Sequence, residues 1–123
     1  MEDLTVVQVE AIHSRIIAEG KGDSRIISEA NLLQMVFHAN LIPEVISRAA
    51  FIFYSLCAFP AFCEGNFRTA MAITEQVLAS EGYHISGEKV PLIAFAEGIR
   101  EFTTEPEEIE QWLCSNTRKS KQQ

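Results

Sequence analysis

Several familiar signals are missing from this chain of 123 residues. Its three cysteines, Cys57, Cys63 and Cys114, are an odd number and form no C-x-x-C pair. That pattern excludes a disulfide framework and a cysteine-built structural zinc site, and it fits a reducing compartment. Basic charge is scarce: ten Lys and Arg against seventeen Asp and Glu leave a net charge of −7. Proteins that grip nucleic acid present a basic face, so that class is set aside. The single basic run, TRKSKQQ at 117–123, is expected to be a solvated, frayed tail. No apolar run reaches the roughly 20 residues of a membrane span. There is no long apolar–polar alternation, repeat or low-complexity tract. The opening, MEDLTVV, is acidic and turns amphipathic at once, which predicts no signal peptide. The expected location is cytoplasmic, without membrane or nucleic-acid partners.

What is present is helical. Hydrophobic residues make up 47% of the chain, too many for disorder and enough for one core. Thr5 and Gln8 form a capping box ahead of Val9, Ile12 and Ile16, and GKG at 20–22 stops that helix. Ser28 caps a second helix, and Pro43 suits the first turn of a third. A fourth opens at Gly65-Asn66 and ends at Gly82; a fifth runs from about Val90 to Phe102. Thr104 and Glu107 read as a capping box for a sixth. From Ala49 to Phe62 the chain is apolar almost all round, as befits the buried axis of a bundle. The expectation is an all-α single domain over residues 1–116, with 117–123 as the tail.

The stretch that follows the central helix, PAFCEGNFRTA at 60–70, carries the chemistry. A helix starting at Asn66 offers unpartnered backbone N–H groups and the positive end of its dipole. Gly65 allows close backbone approach, Asn66 can hold the loop with its side chain, and Arg68 supplies a planar donor fork for phosphate oxygens. Glu64 offers the hard oxygen that Mg²⁺ prefers. An ordinary turn with Glu and Arg on its surface would use the same residues.

The stretch resembles the signature loop of the Fic/Doc (Fido) family, H-x-F-x-[D/E]-[G/A]-N-x-R. The similarity to the death-on-curing (Doc) branch extends through LTVVQVEAIH at 4–13, NFRTAMAITEQVLASEGYHI at 66–85 and IEQWL at 109–113. The resemblance implies the helical Fido fold, with the central helix feeding the loop. It also implies transfer of AMP or phosphate from ATP or another nucleoside triphosphate, with Mg²⁺, to a protein hydroxyl. Doc toxins act on a translation factor, elongation factor Tu, and are neutralised by an antitoxin chain. Phe62 then fills the aromatic anchor, Glu64 the metal position, Gly65 and Asn66 the anion cradle, and Arg68 the phosphate-binding arginine.

Two positions depart from the pattern. Pro60 stands where the family has the histidine that takes the target's proton, and Phe67 where it has glycine or lysine. Proline accepts no proton, and a general base contributes typically ~10²–10⁴ in rate. Phe67 is expected to narrow the phosphate cradle, and HANLIPEV at 38–45 is a shortened link on the acceptor side. Of the three histidines, His13 reads as structural, His84 as exposed at the far end, and His38 as the one substitute base worth testing. Cys63 within the motif reads as inert. The family's self-inhibitory signature is absent, so control would come from another chain or be unnecessary in an inactive protein. The functional expectation is an impaired nucleotide- or protein-binding member. The alternatives are an active transferase using another base and a non-catalytic toxin–antitoxin partner.

Overall fold

The computed structural model describes residues 1–120. Its helices are α1 (Val6–Gly20), α2 (Glu29–Asn40), α3 (Val45–Ala58), α4 (Asn66–Ser80), α5 (Val90–Arg100) and α6 (Pro106–Asn116). Two three-residue strands, β1 (Tyr83–Ile85) and β2 (Thr117–Lys119), pair antiparallel. The molecule is mainly helical, and none of its described helices is long and apolar enough to cross a membrane.

The first two caps form as their residues dictate. Thr5 accepts from Gln8 N, with Gln8 reaching back to Thr5 N at 2.9 Å, and Ser28 accepts from Asn31 N at 3.1 Å. Elsewhere the boundaries shift. Pro43 lies ahead of the α3 N-cap, Glu44, and not in its first turn. The α6 box belongs to Glu105 and Glu108, one residue beyond the Thr104–Glu107 pair. Thr104 is drawn away because its N–H donates to Gly98 O at 3.2 Å, with its hydroxyl packed where a Gly98 side chain would sit. α1 runs through Gly20 and closes on Lys21 in the left-handed region. α4 stops at Ser80, two residues short of Gly82.

α3 is the axis of the bundle. Ala49, Ile52, Phe53 and Leu56 are buried, and the helix packs against α2, α4, α5 and α6. α1 is held outside it against α4, and the core closes through Val9, Leu32, Ile73, Leu78, Leu92, Ile109 and Leu113. Arg48, one turn into α3, is buried with the core, donating to three backbone carbonyls.

The segment expected to fray begins as a strand. Thr117 is buried, Tyr83 pairs with Lys119, and Ser120 N donates to Gly82 O at 2.7 Å. Three residues are too few for a period-two pattern, so the pairing leaves no mark in the sequence. The last three positions of the expected tail lie outside the described residues.

Candidate functional site

The loop from 59 to 65 turns the chain from the end of α3 into α4. Asn66 holds it closed: its Nδ2 donates to Phe62 O at 2.8 Å while its Oδ1 accepts from Phe62 N at 3.1 Å. Gly65, the N-cap of α4, has φ +82°, and a Cβ there would press on Ile17 at 3.0 Å. Both the conformation and the contact call for glycine. Phe62 is buried and stacks on His13, with ring centroids 3.6 Å apart and planes 9° apart. His13 Nε2 lies 2.8 Å from Glu64 O, so the imidazole is the buried floor of the loop. Its structural role is the one its place beside the α1 stripe suggests.

A second support comes from the α1–α2 connection, which sequence reasoning missed. Residues 25–28 run antiparallel to 61–63: Cys63 N donates to Arg25 O at 2.9 Å, and Ile27 N to Ala61 O at 2.7 Å. Asn31 Nδ2 donates to Pro60 O at 3.1 Å. The Arg25 guanidinium, hydrogen-bonded to Asp23, holds that carboxyl well below the usual carboxylate range. The loop is thereby fastened from three sides.

So fastened, it presents α4 outward. Thr69 N is the first of the helix to find a carbonyl, Gly65 O at 2.9 Å. The N–H groups of Asn66, Phe67 and Arg68 have no partner among the described residues, as expected of a first turn. Arg68 is exposed and makes no ion pair among the described residues. Its Nη1 lies beside Gly20, at the negative end of the α1 dipole. Glu64 is also exposed, but one carboxylate oxygen accepts from Asp23 N at 2.8 Å. Phe67, expected to crowd the cradle, turns partly inward and sets its ring edge-on to Phe53 at 6.0 Å.

These residues border a cleft of about 700 Å³ between the loop and α5. Pro60, Glu64, Gly65, Asn66, Phe67 and Arg68 all line it, so the residues singled out along the sequence come together. Neither His13 nor His84 does. His84 is on β1, its Nδ1 3.1 Å from Ser120 Oγ. His38 lines a separate cavity of about 590 Å³ between α2 and α3, which meets the cleft at Tyr54 and Phe59. It is therefore a neighbour of the site and not part of its wall.

The opposite wall was not anticipated. α5 contributes Ile93, Glu97 and Arg100, with Phe102 beyond its end. Their spacing of three or four residues is a helical face and was available in the sequence. What it faces was not.

Cys57 also lines the cleft. Burial pushes its thiol up to about 12, with the Arg100 guanidinium acting in the opposite direction. Folding thus favours the protonated thiol. That contribution is complete below the ordinary value of 9.0 and is lost as pH climbs toward 12. Cys63, expected to be inert, is instead exposed, because Ala61 and Phe62 turn into the core at that point and Cys63 does not. At pH 8, titration with an aromatic disulfide should find two fast thiols, the exposed Cys63 and Cys114, and one slow one. Three equally fast thiols would contradict this burial.

Chemically, the arrangement offers backbone donors, two guanidinium groups and a half-engaged carboxylate around a cleft without a histidine. No protein-family model matches the chain, and no similar curated protein is found.

Proposed function

We propose that the cleft binds a nucleoside triphosphate and that the chain is a Fic/Doc-like protein lacking the proton acceptor for group transfer. The observation that carries this reading is the fastened loop, with three N–H groups and an Arg68 that have no partner among the described residues, on one cleft wall. Backbone donors at a helix start and a planar guanidinium are matched to phosphate oxygens. A cleft of about 700 Å³ is of the size that takes a nucleotide.

The residues also fit a magnesium ion that arrives with its nucleotide. Mg²⁺ is typically held by one or two carboxylates together with substrate phosphates. Glu64 keeps one oxygen outside its bond to Asp23 and would supply that ligand. When bound, the ion would neutralise phosphate charge. The chain's own contribution is to cradle and orient the phosphates. Phosphoryl transfer depends mostly on such alignment and charge neutralisation. Deprotonating an acceptor hydroxyl is a separate requirement; Pro60, at the position where the resembled family has its base, lines the cleft and accepts no proton. Binding without efficient transfer follows.

Calorimetric titration of the full chain with Mg-ATP tests this. Binding should be measurable in the wild type and fall roughly 10- to 100-fold in Arg68→Ala, the loss expected for charge-assisted hydrogen bonds. Little label should pass from ATP to proteins of a lysate. Absence of Mg-ATP binding by the folded wild type, or equal affinity in Arg68→Ala, would overturn the reading.

A further inference from the structure

Phe102 is placed where local physics disfavours it. It is 94% exposed, so its ring contributes nothing to the core. Its backbone has φ +61°, the left-handed region that a bulky side chain rarely occupies. It follows the last turn of α5, where Thr103 N and Thr104 N both bond back to Gly98 O, at 2.8 and 3.2 Å. Glycine is the usual residue at such a helix end. An exposed phenylalanine there gives up both the conformational ease of glycine and the burial of a ring.

What Phe102 does adjoin is the cleft. Phe59, 59% exposed at the end of α3, borders the same space. Arg100, two residues before Phe102, lines it as well, and Arg68 approaches from the other wall. The cleft therefore combines flat apolar faces with two cations from different elements, beside the carboxylates of Glu64, already engaged by Asp23 N, and Glu97. An aliphatic ligand would gain little from exposed rings, and a bare phosphate nothing. A ligand with an aromatic ring joined to an anion would use both, through face stacking and guanidinium contacts.

We infer that Phe102 is the stacking platform for the base of a nucleotide whose phosphates lie toward Arg68, with Arg100 a second cation on the path between them. This rests on the nucleotide reading above and adds the part of the ligand that the signature loop does not touch.

The experiment compares Mg-ATP with Mg-tripolyphosphate on the full chain, using wild type, Phe102→Gly and Phe102→Tyr. ATP serves as the probe because stacking tolerates any base. Wild type should bind ATP on the order of tenfold tighter than tripolyphosphate. Phe102→Gly should erase that difference without changing tripolyphosphate affinity, and Phe102→Tyr should keep it. The unfolding midpoint of Phe102→Gly should equal the wild-type value or exceed it by a few degrees, because glycine relieves the left-handed strain. Unchanged ATP affinity in Phe102→Gly would overturn the stacking role while leaving the nucleotide reading intact. Equal losses for ATP and tripolyphosphate would overturn it too, by showing a general disturbance of the cleft. If wild type binds neither ligand, the nucleotide reading fails, and this inference with it.

Discussion

Placing a histidine at position 60 should raise transfer of label from ATP to protein acceptors by about 10²-fold or more, the usual contribution of a general base. Residue 60 lines the cleft, is exposed, and precedes the buried Ala61–Phe62 pair that anchors the loop. Among the described residues Pro60 makes one hydrogen bond, accepted by its carbonyl from Asn31, and any residue there retains it. Pro60→His therefore adds a proton acceptor while leaving the loop's fastenings in place. None of the three natural histidines lines the cleft, so no competing imidazole should blur the result. Phe67→Lys in the same chain would place a cation beside Arg68; the Phe67 ring packs edge-on to Phe53, so that change also carries a packing cost. The measurement is incorporation of γ- or α-labelled ATP into lysate protein, with binding followed in parallel. Pro60→His that binds Mg-ATP like wild type and transfers no faster would show that more than the base is missing.

Arg48→Ala should destabilise the fold by about 3 kcal/mol, the cost of removing a buried guanidinium and leaving three carbonyl acceptors without their donor. Nε donates to Ile42 O at 3.0 Å, Nη1 to Glu2 O at 3.1 Å and Nη2 to Asn40 O at 3.2 Å. One guanidinium thus ties the N-terminal segment, the end of α2 and the α2–α3 link to the axial helix. Arg48 is buried without an ion pair among the described residues, so the carbonyls compensate its desolvation. Arg48→Lys should not rescue it, because a single ammonium cannot reproduce a fork aimed at three separate carbonyls. Thermal unfolding should show a fall of roughly 10 °C for Arg48→Ala. A fall of only a degree or two would mean that water replaces the guanidinium at little cost.

Much of the fold was legible along the chain. Caps at Thr5 and Ser28, the apolar stripes and the central run after Ala49 all depend on neighbours within a turn or two, and such signals survive in one dimension. The structure departs from this pattern where a partner in another element takes the group. Thr104 bonds back to Gly98 of α5, which leaves the α6 cap to Glu105. Thr117–Lys119 looked like a polar tail because β1, which pairs with it, lies some thirty residues away.

The candidate site divides in the same way. Local sequence suffices for the α3–α4 loop: Gly65, Asn66 and Arg68 lie within four positions, and Asn66 closes the loop on its near neighbour Phe62. It also determined that residue 60 carries no proton acceptor. Packing between elements, by contrast, puts His38 in another cavity, His13 under the loop, and Glu97, Arg100 and Phe102 on the second wall. A cleft exists between elements, and its opposite face is set by how α5 packs on α3. That docking is decided by burial of apolar area, which has no direction along the chain and so leaves no local signature.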